Sequence, residues 1–350
     1  MASAVGFSGV RRENGDGVAW WLLACAGMVF VMVVLGGLTR LTDSGLSMME
    51  WKPLSVLPPL SDDEWMVWFE RYKTIPQFYN VNPDMTLTGF KGIFWLEYLH
   101  RLWGRLIGVV FFLPFLWFLW RGRIDRPLGL RLAGVFVLGG LQGAMGWYMV
   151  ASGFTQDLAV SQYRLASHLA FAVVIYLALL WIAFGQLAPR TLARHPGLVQ
   201  LRGWVWWLIG FAGFVILSGA FVAGLDAGMI YNTFPLMGDE ILPPDVLVLH
   251  PYWRNFFENM ATVQFTHRWL AITLFASIIV FWYRGRQMEL PARARLALKL
   301  VPLAALLQVG LGITTLLLVV PVAAAAAHQA GALVLLTALL WTAHELRGRD

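Results

Sequence analysis

Apolar residues run in long unbroken stretches along this chain, and the polar residues gather between them. Eight stretches, near 18–40, 92–120, 130–150, 162–187, 203–224, 260–283, 298–320 and 323–345, are long enough to cross a hydrocarbon core of ~30 Å, which takes roughly 20 apolar residues. Lipid offers no water to satisfy backbone groups, so each stretch is predicted to be helical. A barrel would need alternating strands of about ten residues, a pattern the chain lacks. The seventh and eighth stretches are divided only by a turn at Pro321, which leaves seven spans as the alternative count. The expected fold is an all-α integral membrane protein of eight transmembrane helices.

The pattern also repeats. The first span ends in GGLTRLTDSGLSM from Gly36 and the fifth in SGAFVAGLDAGMI from Ser218. The second carries EYLHR from Glu97 and the sixth QFTHR from Gln264; the third and seventh share Gln142 and Gln308, with glycines following; the fourth and eighth carry His168 and His328. Four helices per unit bring both units in from the same side, so the repeats are parallel, related by an axis along the membrane normal. Two four-helix bundles are expected, residues 1–190 and 191–350.

The outer connections, 41–91 and 225–259, are long for a compact protein, which points to function. In the first, Ser61 and Glu64 form a capping-box pattern, and Trp65, Trp68, Phe69 and Tyr72 follow at helical spacing. This predicts a helix over 62–73 lying on the outer membrane surface, with an ordinary aromatic belt as the alternative.

Composition agrees with a membrane: 59% of residues are hydrophobic and 13% charged, and the mean hydropathy is +0.65. Charge sets the expected orientation. With eight spans, 16 of the 26 Lys and Arg fall on the side of the termini, among them Arg121, Arg123, Arg190, Arg194, Arg284, Arg347 and Arg349, while 14 of the 20 acids fall on the other. The positive-inside rule therefore places both termini inside. The pI near 9.7 reflects this topology and does not imply nucleic-acid binding. Glu13 and Asp16 argue against a transit peptide, so a bacterial inner (plasma) membrane is favoured over the mitochondrial inner membrane. The single cysteine, Cys25, lies in the first span and allows neither an intramolecular disulfide nor a thiolate metal site.

Ionisable groups are expensive within a bilayer, and four of the seven histidines recur near the outer starts of the even-numbered spans: His100, His168, His267 and His328. Each alone could be a helix-to-helix hydrogen bond. In matched positions of two repeats they point instead to paired imidazoles from neighbouring helices, ligating haem iron from both sides within a bundle. Zinc fits less well, since it wants three or four ligands. His195, His250 and His344 lie in or near polar segments and are assigned no role.

Arg101 follows His100, Arg268 follows His267, and Arg164 lies one turn before His168. Guanidinium pairs well with the propionates of haem, whereas Arg105 is read as snorkelling toward the interface. The halves differ as well as match. Glu97 shares a helix face with His100, but its counterpart is the neutral Gln264, and Arg164 has Ala324 opposite it. A reactive site beside an electron-transfer site would have this asymmetry. The alternative for Glu97 is a solvated carboxylate at a helix N-terminus.

The run GFKGIFWLEYLHRLWGR from Gly89 to Arg105, the GGLTRLTDSGLSM stretch and QFTHRW around His267 closely resemble haem A synthase of the alphaproteobacterial and mitochondrial type, over nearly the whole chain. The resemblance implies oxidation of the C8 methyl of haem O, the substrate, to the formyl of haem A, for terminal cytochrome oxidase assembly. It implies that His267 and His328 ligate a resident haem b, that His100 and His168 bracket the substrate iron, and that Glu97 stands near the reacting face. Expected partners are haem O and haem A, an electron donor (ferredoxin-like or a quinol), haem O synthase and cytochrome oxidase assembly factors; a homo-oligomer is left open. Some family members carry a cysteine pair in the first outer loop, and this chain does not. The rival readings are a bis-histidine membrane cytochrome b that passes electrons from quinol, and a transporter.

Overall fold

The computed structural model describes residues 6–50, 57–153, 160–187 and 196–347. His195, Arg190, Arg194 and Arg349 lie outside the described residues. Among the described residues there are eleven α-helices: α1 (Gly6–Leu41), α2 (Asp62–Tyr72), α3 (Pro76–Val81), α4 (Leu87–Trp120), α5 (Arg126–Gly153), α6 (Gln162–Leu187), α7 (Pro196–Gly224), α8 (Asn255–Glu258), α9 (Met260–Gly285), α10 (Ala292–Leu317) and α11 (Val322–Glu345). Eight of them, all but α2, α3 and α8, contain a segment long and apolar enough to cross a membrane, which agrees with the count of eight over seven. At the disputed turn α10 stops at Leu317. Val319 and Val320 adopt left-handed backbone at φ 60° and 55°, and the Val320 amide donates to Thr315 O at 2.8 Å.

Helix starts are set by capping. Thr86 Oγ1 accepts from Gly89 N at 3.3 Å, so α4 begins five residues before the apolar run does. Asn259 Oδ1 accepts from Thr262 N at 3.0 Å and starts α9. Each cap satisfies a backbone donor that the helix itself leaves open.

The spans form two rings. In the first, α1 and α5 each pack against both α4 and α6, so α4 and α6 stand at opposite corners. In the second, α7 and α10 each pack against α9 and α11, leaving α9 and α11 opposed in the same way. The rings meet where α6 lies against α7 and α11, and where α1 lies against α11. At the outer ends of α1 and α7, Arg40 Nη2 donates to both carboxylate oxygens of Asp226 at 2.9 Å, tying the rings together by a forked contact.

Both α1 and α7 end in the same local fold. Asp43 and Asp226 take left-handed backbone (φ 51° and 52°), and a single 3₁₀ turn follows each, Ser44–Leu46 and Ala227–Met229. Aspartate tolerates this conformation better than most side chains. The match aligns Gly36 with Gly219, one residue away from a pairing of Gly36 with Ser218.

The helix expected over 62–73 is α2, and its capping box is complete: Ser61 Oγ accepts from Glu64 N, and Glu64 Oε2 accepts from Ser61 N. The Leu60 and Ser61 amides hold the Glu64 carboxyl below the usual carboxylate range. Its aromatic stripe is turned into protein rather than along a membrane surface. Trp65 meets Phe94 at 4.9 Å between ring centroids, and Phe69 and Tyr72 meet Phe90 at 5.4 and 5.2 Å. The loop helix therefore packs on the outer end of α4, the helix that carries Glu97 and His100.

Candidate functional site

His100 lies on α4 and His168 on α6, at opposite corners of the first ring; His267 on α9 and His328 on α11 are opposed in the second. The sequence reading put each pair on neighbouring helices. The structure instead sets the helices of each pair at opposite corners of their ring.

Each ring rests against a glycine on the preceding span. A Cβ on Gly36 of α1 would come within 3.4 Å of His100 Nε2. On Gly146 of α5 it would come within 3.1 Å of His168 Cε1, on Gly219 of α7 within 3.0 Å of His267 Cε1, and on Gly312 of α10 within 2.8 Å of His328 Cε1. Small residues let membrane helices approach closely, and here the space is taken by a flat imidazole. A methyl group at Gly312 would force the His328 ring to move, at Gly146 and Gly219 it would crowd the ring, and at Gly36 it would only touch His100.

Hydrogen bonds orient three of the four rings. Ser218 Oγ contacts His267 Nδ1 at 2.8 Å, Gln308 Nε2 contacts His328 Nδ1 at 3.2 Å, and Gln142 Nε2 contacts His168 Nε2 at 3.4 Å. Some buried polar atoms are left over: His168 Nδ1, Gln142 Oε1 and Gln308 Oε1 have no hydrogen-bond partner among the described residues. A native interior rarely tolerates such atoms. The unused buried imidazole nitrogen of His168 is what a metal-centred ligand would require. Among the described residues no three His, Cys, Asp or Glu converge as a zinc site demands.

The outer side of each pair is roofed by loop backbone, and the arginines hold the roofs. Arg101 donates to Met48 O at 2.8 Å and Glu50 O at 2.9 Å, and pairs with Glu97. Arg268 donates to Tyr231 O at 2.7 Å, Thr233 O at 2.8 Å and Leu236 O at 3.1 Å, with its Nε buried and unpartnered among the described residues. Arg164 lies with its guanidinium 4.1 Å from the Tyr148 ring centroid and Nη1 3.4 Å from Tyr148 O.

Glu97 is 2% exposed, so the solvated-carboxylate alternative fails. Besides Arg101, it accepts from Ser47 Oγ at 2.6 Å and Met48 N at 2.8 Å. Such charge-assisted bonds are what allow a buried carboxylate to persist. Gln264, the counterpart, is equally buried and donates through Nε2 to Tyr231 O at 3.0 Å. Both roofs are therefore anchored at the same helical position, one by a charge and one by an amide.

The other two described histidines stand apart. His250 lies tilted against the Tyr252 ring in the second outer loop, and His344 is buried against Trp181 and Phe184 near the end of α11. Sequence reasoning missed Ser218, the roof-forming Ser47 and Met48, and the seating role of the glycines. The matched glycines after Gln142 and Gln308 were the available signal for the last.

The sequence has clear relatives. It is 52% identical over 337 residues to a protein of Nitrosomonas eutropha named "Heme A synthase", covering 95% of each chain. Identity to the "Heme A synthase" of Nitrosospira multiformis is 53% over 332 residues, 94% of this chain and 93% of that one. The human "Heme A synthase COX15" is 46% identical over 338 residues, 94% of this chain and 82% of the human protein. Residues 19–340 match the family model described as COX15-CtaA, cytochrome oxidase assembly protein. With two opposed histidine pairs inside an eight-span bundle and this extent of identity, the chain belongs to the COX15-CtaA family of cytochrome oxidase assembly proteins.

Proposed function

We propose that this multi-pass membrane protein is a haem A synthase, oxidising the C8 methyl of haem O to the formyl group of haem A. The likeness to relatives bearing that name supports the activity, and the two unlike histidine pairs support the division of labour. Residues 1–190 form the substrate half, in which His100 and His168 hold haem O from opposite corners. Residues 191–350 form the resident half, in which His267 and His328 hold haem b. Haem iron supplies the oxidising and electron-carrying chemistry; the protein supplies placement, electrostatics and exclusion of water.

Glu97 is the observation that carries the assignment. Among the described residues it is the buried carboxylate one helical turn from His100, and the resident half has Gln264 in its place. We assign it to the proton bookkeeping of methyl oxidation. Arg164, Arg101 and Arg268 stand at the outer ends beside the histidines, where propionates would reach guanidinium. The distribution of Lys and Arg supports termini on the inner face of the membrane, for which a bacterial plasma membrane is the proposed address. A ferredoxin-like protein or a quinol is the electron donor, and haem O synthase and oxidase assembly factors are the partners.

Co-expression with a haem O synthase, followed by mass analysis of extracted haems, tests the activity. The product is expected to carry one more oxygen and two fewer hydrogens than haem O. An extract containing haem b alone would turn the assignment into an electron carrier. The glycine seats give a second test. Gly312→Ala overpacks His328 by about 1–3 kcal/mol and should lower haem b per protein, whereas Gly310→Ala meets nothing within 4 Å and should leave it unchanged.

A further inference from the structure

The Ser218 hydroxyl has its proton committed. Its Oγ donates to Val215 O at 2.7 Å, one turn back along α7, so toward His267 it can only accept. The 2.8 Å contact therefore favours the Nδ1–H tautomer of His267, as does the neighbouring Val215 carbonyl, and that tautomer leaves the Nε2 lone pair free for a metal. With Gly36 aligned to Gly219 and Asp43 to Asp226, the position of Ser218 in the first half is Leu35. Leucine has no acceptor, and His100 has no hydrogen-bond partner among the described residues.

We infer that Ser218 is a positioning residue: its hydroxyl makes His267 a permanent iron ligand, and its replacement by Leu35 leaves His100 a ligand that can let go. This rests on the assignment of haem b to the second half. The physical reason is that an acceptor on Nδ1–H raises the donor strength of Nε2 and locks the ring plane, and outer-shell partners of this kind are worth 10–100-fold in metal affinity. A resident haem needs that strength. A haem that arrives as substrate and leaves as product is better served without it, and the two halves differ in that sense.

The test is a redox titration of the purified haem-loaded protein. Ser218→Ala should favour the ferrous haem about tenfold, raising the midpoint potential by ~59 mV for a one-electron couple, with the low-spin spectrum retained. Ser218→Gly deletes the same hydroxyl and should shift equally, while Ser218→Thr keeps it and should match the wild type. An unshifted potential in both Ala and Gly variants overturns the inference, as does a Thr variant shifted as far as Ala. His267→Ala separates the two layers of argument. If that variant keeps the haem b spectrum, the assignment of the half is what failed; if it loses the spectrum and Ser218→Ala is silent, only the role of Ser218 fails.

Discussion

Replacing Glu97 by Gln is expected to stop haem A formation, by a factor of 10²–10⁴ if the carboxylate handles a proton, while haem b stays bound. The competing explanation is collapse of the outer roof, since Glu97 anchors Ser47, Met48 and Arg101. Glu97→Gln keeps an amide oxygen that can accept from Ser47 and Met48, but it removes the counter-charge of the buried Arg101, which costs stability even though Met48 O and Glu50 O remain as acceptors. Protein yield and bound haem b decide between them: both stay near wild type if the carboxylate acts on a proton, and both fall if the roof collapses. His100→Ala should give the same loss by removing one side of the substrate site. Wild-type haem A levels in either variant, in cells supplied with haem O, would sink the catalytic assignment.

His267→Ala and His328→Ala are expected to do the reverse in spectroscopic terms, each abolishing the bis-imidazole haem signal of the purified protein. Their corners face each other across α7 and α10, and no further imidazole adjoins them among the described residues to substitute. Activity should fall as well, because the resident haem would no longer pass electrons. The informative comparison is between halves: His100→Ala should keep the resident signal that His267→Ala loses. An unchanged spectrum in the second-half variants would exchange the roles of the two bundles.

The spans were legible because hydrocarbon demands unbroken apolar sequence, and the fourth span was placed at its observed ends, 162–187. Most ends that moved did so outward, past the apolar run, whereas α10 stops three residues early at Leu317. Lys91 sits inside α4 because Asp62 at 3.3 Å and the Trp65 ring at 5.3 Å receive its charge, neither of which a window over α4 alone can register. The histidines were legible as costly groups. Their diagonal arrangement was not, since sequence order says which helices follow one another and not which stand at opposite corners. Arg101 and Arg268 were noticed for their charge, yet the carbonyls of Met48, Glu50, Tyr231, Thr233 and Leu236 that receive them are backbone and leave no mark in composition.

Because the imidazoles of His168, His267 and His328 occupy the volume their glycines leave, the two residues of each such pair act as one unit split between two helices. Changes at the pair should be strongly non-additive, as expected for groups sharing a single space. A mutational library that varies the histidines while fixing the glycines would explore mostly dead sequences. One that shrinks the ring position as it enlarges the glycine has a route to new ligand geometries at each of these three seats.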